Sequence, residues 1–198
     1  QRNSINLANY WSSSGVEVHL VIFRSIIDFK IEINKKVKII NFNVERSRFV
    51  LFKLRKYLKE NNISLVISMM RDSSIAIVLA SFFLKKKFIL FSREANHYDY
   101  LKGLSFFKNF YMFLIMRLVY VFPDLIIANS FQTLISIKKF TKLNLKNSTV
   151  IYNPVIKEGF YSLKIKKANH KWIKSDEFKV ILGVGRLHIQ KDFQNLIK

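Results

Sequence analysis

The chain has 198 residues, half of them hydrophobic and 15% aromatic, enough for one full domain and part of a second, and too apolar for a disordered basic tail. Lysine and arginine number 34 against 13 acids, a formal charge of +21, so an anionic partner is the first class to consider. Cysteine is absent, which excludes a disulfide framework and any thiolate metal site.

In chain order, RNSINLANYW reads as a helix with Ile5 and Ala8 on one side, and Gly15 marks its exit into a strand at VEVHLVIF (16–23). VKIINF (37–42) is the next strand, and RFVLFKLRKYLKENN (48–62) carries Phe49, Phe52, Leu54 and Leu58 near helical spacing. SLVISM (64–69) is a short apolar run, SSIAIVLASFFL (73–84) a helix and KFILFS (87–92) a strand. Helices over 105–122 and 131–140 and strands at DLIIA (124–128), STVIY (148–152) and KVILGVG (179–185) complete the set. Strands separated by single helices predict an α/β, Rossmann-like, doubly wound parallel sheet, and their near-continuous apolar character agrees, because parallel strands are covered on both faces.

Both ends read as cut. The chain starts at Gln1 while already helical, and DFQNLIK closes with Phe193, Leu196 and Ile197 at the i, i+3, i+4 spacing of a helix just beginning. An internal piece of a longer protein is expected. The lysine-rich stretch from Tyr161 to Lys179 has no strong strand and reads as a surface joint. The predicted organisation is therefore a first domain over 1–160, a basic linker over 161–178 and the start of a second domain over 179–198.

FYMFLIMRLVYVFPDLIIA (110–128) has about the length of a membrane span, but Arg117 and Asp124 offset its apolar residues on an insertion scale. Pro123 removes a helical hydrogen bond, so a helix ending before the strand DLIIA is the better reading.

Chemistry concentrates at a few predicted strand ends. GVGRLHIQKDF (183–193) joins a strand to a helix, where backbone N–H groups and the helix dipole favour an anion. SREANHYDY (92–100) places Arg93, Glu94, His97 and Asp99 at a strand's carboxyl edge, where open α/β sheets bind ligands. Asn129 and Ser130 close DLIIANS, with Ser130 also placed to cap the following helix, and Asn153 and Pro154 close STVIY. His19 and His170 read as structural or solvated, and with no His cluster and no Asp-x-Asp pair a metal site is unsupported.

Four segments in this order, RNSINLANYWSSSGVEVHLVIF, VFPDLIIANS, STVIYNPV and VILGVGRLHIQKDFQNLI, resemble the family 4 glycosyltransferases of GT-B architecture. The resemblance implies that 1–160 is the acceptor-side N-terminal domain without its first strand, and that 179–198 opens the nucleotide-sugar domain. It implies a donor site of Gly183, Gly185, Arg186 and Lys191, with Arg186 and Lys191 as the clamp on the diphosphate leaving group. The same resemblance implies that the Arg93–Glu94 position, where many relatives carry a histidine, faces the acceptor and that Asn129, Ser130 and Asn153 line the cleft; with His97 of the same strand-edge loop as a second-rank candidate, the expected acceptor pocket is Arg93, Glu94, His97, Asn129, Ser130 and Asn153. Glu94, Arg186 and Lys191 are then the expected catalytic residues. Two fixed cations can stabilise a departing diphosphate without a metal, and the family retains anomeric configuration without a metal or other cofactor.

The expected function is transfer of a sugar, hexosyl in type, from a nucleotide-sugar donor to a lipid-linked or polysaccharide acceptor of lipopolysaccharide, O-antigen or capsule, with this piece inactive alone. The alternative is a non-catalytic basic domain binding nucleic acid or anionic membrane. No aromatic stacking signature, zinc-finger spacing or recognition helix supports nucleic acid as a partner. The charge is spread along the chain and suits a peripheral position on the cytoplasmic membrane face. LSFFKNFYMFLIMR (104–117), with Lys102, Lys108 and Arg117 around it, is either an interfacial segment or an ordinary buried helix.

Overall fold

Short apolar runs bounded by turn residues become strands, and the longer runs between them become helices. The computed structural model describes residues 2–23, 33–44, 47–82, 84, 88–96, 105–154, 170–175, 177, 179–185, 187 and 192–197. The chain divides into two units, Gln1–Val155 and Ile156–Lys198.

The first unit runs α1 (Arg2–Ser13), β1 (His19–Ile22), β2 (Lys38–Asn41), α2 (Ser47–Glu60), β3 (Leu65–Ser68), α3 (Arg71–Ser81), β4 (Ile89–Glu94), α4 (Phe106–Val121), β5 (Leu125–Ala128), α5 (Phe131–Thr141) and β6 (Ser148–Val150). Every strand pair is parallel. The predicted single sheet is seen, among the described residues, as two: β1 beside β2, and β3-β4-β5-β6 side by side in chain order. Both sheets feed one core, in which Phe42, Val50 and Leu54 join Val78, Leu90, Met116, Ile126 and Ile137. Alternating helices and parallel strands on a shared core make this a Rossmann-like α/β fold.

Local chemistry sets the boundaries that matter for the site. Gly15, with φ of 85°, takes the left-handed conformation that ends α1. The 110–128 stretch breaks as expected: α4 ends at Val121 with Phe122 as its C-cap, Pro123 follows, and β5 begins at Leu125. Asp124 then fixes the start of β4, its Oδ2 accepting from the Leu90 amide at 2.7 Å while its own amide donates to the Leu90 carbonyl at 2.9 Å. Among the described residues no helix is long and apolar enough to cross a membrane. β4 extends two residues beyond the predicted end at Ser92, because Arg93 and Glu94 find ladder partners in Ile127 and Ala128 of β5. These two residues therefore belong to the strand and not to the loop.

The second unit contains α6 (Lys171–Lys174) and α7 (Phe193–Ile197). α6 falls in the stretch read as a linker and is capped by His170, whose Nδ1 accepts from the Trp172 amide at 3.3 Å. α7 begins where the Phe193, Leu196, Ile197 spacing places a helix. The predicted strand over 179–185 is instead irregular and exposed. A strand needs a neighbour to take up its backbone groups, and the described residues of this unit supply no second strand. Gly183 lies against α7, where a Cβ would stand 2.7 Å from Cε1 of Phe193.

Candidate functional site at the carboxyl edge of the sheet

Because β3, β4, β5 and β6 are parallel, their carboxyl ends open on one edge. Met69, the Arg93–Glu94 pair, Asn129 and Asn153 all arrive there. Strand periodicity then divides the pair, since successive side chains of β4 point to opposite faces. Leu90, Ser92 and Glu94 are buried, whereas Arg93 lies on the other side of the strand and is half-buried.

Arg93 gathers a polar cluster. Its Nη2 donates to Oδ1 of Asn153, Nη1 lies 3.4 Å from the Met69 carbonyl, and Nδ2 of Asn3 in α1 donates to the same Asn153 oxygen at 3.2 Å. Burial lowers the guanidinium's pKa and the adjacent Glu94 charge opposes that shift. An arginine keeps its charge through such a perturbation, so a fixed cation stands at the edge. Three segments distant in sequence thus hold one planar donor group in place.

Glu94 has a different setting. It is 3% exposed, and Tyr120 of α4 donates to its Oε2 at 2.6 Å. Its Oε1 accepts from the amides of Ala95 at 3.1 Å and Asn96 at 3.4 Å. The carboxylate ties the end of α4 to the turn after β4. The predicted acceptor-pocket residues Arg93 and Glu94 therefore share an edge but not a face.

Asn129 and Ser130 organise the next turn. The Asn129 amide donates to the Glu94 carbonyl at 3.1 Å, its Nδ2 to the Ala95 carbonyl at 3.1 Å, and its Oδ1 accepts from the Thr133 hydroxyl at 2.8 Å. Ser130 caps α5, accepting from the Thr133 amide at 3.1 Å, as its position before the helix suggests. Asn153 comes to Arg93, while Pro154 is an exposed residue after β6.

Several partners had no local signal. Asn3 and Tyr120 sit in helical runs, and only the fold brings them to Asn153 and Glu94. Ser68, Ser74 and Ser92 form a buried hydroxyl cluster joining β3, α3 and β4: Ser74 Oγ lies 2.7 Å from Ser68 Oγ and accepts from Ser92 at 2.6 Å. One hint was available, since the runs LVIS and ILFS both end in serine and pair in register.

His97, Arg186, His188 and Lys191 lie outside the described residues. Gly183 and Gly185 belong to the second unit, on the exposed stretch before α7. His19 is the first residue of β1, in the other sheet, where Tyr57 pairs with its Nδ1 and Glu17 lies 3.1 Å from its Nε2. That setting is structural, in keeping with the sequence reading.

The parallel sheet and its polar carboxyl edge define a Rossmann-like domain of the class that binds ligands where its strands end. The family model for Glycosyltransferase Family 4 matches residues 2–158, across both sheets and helices α1 to α5. The chain belongs to that family: it is a glycosyltransferase, a transferase working between a sugar donor and an acceptor. A search of curated proteins finds no match.

Proposed function

We propose that the protein transfers a hexosyl group from a nucleotide-sugar to a lipid-linked or polysaccharide acceptor in cell-surface glycan synthesis, with retention of configuration and without a metal. Family membership across the whole parallel-sheet unit is the observation that carries this reading. The acceptor lies at the carboxyl edge of β3 to β6. Arg93, held by Asn153 and the Met69 carbonyl, is the donor group best placed to orient an acceptor hydroxyl or phosphate. Glu94 serves the same edge indirectly, by fixing the turn at Ala95 and Asn96 through their amides.

The donor diphosphate is assigned to Arg186 and Lys191, with Gly183 and Gly185 in the turn before them. Charge builds on the diphosphate as the glycosidic bond breaks, and two fixed cations stabilise it most in the transition state. The test is transfer from labelled nucleotide-sugars to lipid and glycan acceptors by the full-length enzyme that contains this chain and by its Arg186→Ala variant. Turnover should fall by about a hundredfold with KM for the acceptor unchanged. Unaltered turnover would remove Arg186 from the donor site.

A further inference from the structure

α4 is apolar around most of its circumference, close to the composition of a helix buried all round. Only one side is buried: Met116, Val119 and Tyr120 face the core, with Met112 and Ile115 packed beside them. On the opposite side Phe110, Tyr111, Leu114, Leu118 and Val121 recur at helical spacing and remain exposed, from 38% at Leu118 to 69% at Val121. A continuous apolar stripe of this length on a protein surface marks a docking face.

The charge around the stripe identifies what it meets. α4 contributes Arg117 beside the stripe and Lys108 in its first turn, both exposed, and neither α4 nor α5 contains an acid. Arg117 lies with its guanidinium 5.5 Å from the Phe113 ring centre and Nη1 3.5 Å from the Thr141 carbonyl, the posture of a long stem laid along apolar surface. α5 packs against α4, so the two helices lie side by side on the unit's surface. The exposed side of α5 runs Phe131, Ile135, Lys138, Lys142. Aromatic and aliphatic groups flanked by cations, on a chain of net charge +21, suit an apolar layer roofed by anions. With 16 residues, α4 is about 24 Å long, too short to span such a layer and long enough to lie in its surface.

We infer that the outward face of α4, flanked by the lysines of α5, docks the protein on an anionic phospholipid bilayer, with α4 lying parallel to the surface. This is a property of the acceptor-side unit and does not depend on sugar transfer, which its test does not measure.

The experiment is co-sedimentation of the whole chain with vesicles of phosphatidylcholine alone and of phosphatidylcholine mixed with phosphatidylglycerol. Binding to the mixed vesicles should exceed binding to the neutral ones by about tenfold or more, and should weaken with salt. Phe110→Glu with Leu114→Glu should lower it by about tenfold or more, at unchanged circular dichroism. Independently of that variant's folding, Leu118→Cys can carry a single environment-sensitive fluorophore, because the chain has no other cysteine. Its emission should shift to the blue on mixed vesicles. No binding to mixed vesicles, equal binding by the double variant, or unshifted emission from the label would overturn the inference. So would a dimer dispersed by the double variant in a protein that ignores vesicles, which would give the face to a second copy.

Discussion

Tyr120→Phe removes one oxygen and tests whether the buried Glu94 carboxylate is a structural pin. In the folded protein the Tyr120 hydroxyl donates to Oε2 of Glu94 at 2.6 Å, and both residues are 3% exposed. A hydrogen bond to a charged group is worth about 1.5–3 kcal/mol net. Oε1 keeps the amides of Ala95 and Asn96, so the carboxylate is not stripped, and a loss of about 2 kcal/mol is expected. In a protein of this size that corresponds to a fall in Tm of about 4–8 °C. The ring stays in place, so no cavity adds to the cost. Urea denaturation followed by circular dichroism should give a lower midpoint at unchanged slope. In a Glu94→Gln background the same change should cost only about 1 kcal/mol, the worth of a neutral bond, leaving a coupling of about 1 kcal/mol in a double-mutant cycle. A Tyr120→Phe protein as stable as its parent to within about 0.5 kcal/mol would refute the pin.

Three further changes probe the frame around the edge. Leu90, fully buried on β4, should cost about 2–5 kcal/mol as Leu90→Ala in the same denaturation assay. Gly15→Ala meets no atom within 4 Å, so its cost of about 1 kcal/mol comes from the positive φ alone, and Gly15→Asn should recover part of it. The Glu17 carboxyl is held below its ordinary pKa by Lys38 first and by His19 second. A depressed folded pKa contributes stability above the unfolded value and loses it as pH falls through the folded one. Denaturation midpoints of the parent and Glu17→Gln should therefore differ at neutral pH and converge below about pH 4; a gap persisting undiminished at about pH 2 would contradict the pairing.

The order of elements was legible in the sequence for local reasons. Apolar runs such as LVIS, ILFS and LIIA sit between turn residues, and the helical spacing of the runs between them appears within a single window. Ser130 before α5 and Gly15 after α1 are readable because caps are local chemistry. The order of four motifs pointed to the same family that matches residues 2–158.

Other features depend on which strands become neighbours. Arg93 and Glu94 look like one polar pair in a loop. Pairing of β4 with β5 extends the strand through them, and strand alternation then sends them to opposite faces. Arg93 meets Asn153 across 60 residues, Glu94 meets Tyr120 across 26, and Asn3 meets Asn153 across 150. No window of sequence contains such contacts, because sheet order sets them. The run KVILGVG shows the converse: among the described residues of its unit no strand stands beside it, and strand propensity alone leaves its backbone groups with no ladder to join. α4 is the clearest division between the two levels. Its composition determined that it would be apolar, but a helix apolar around most of its circumference has too little periodicity to say which side faces the core. Packing against the sheet and its neighbouring helices made that choice, covering Met116 and Val119 and leaving Phe110 and Leu114 outside.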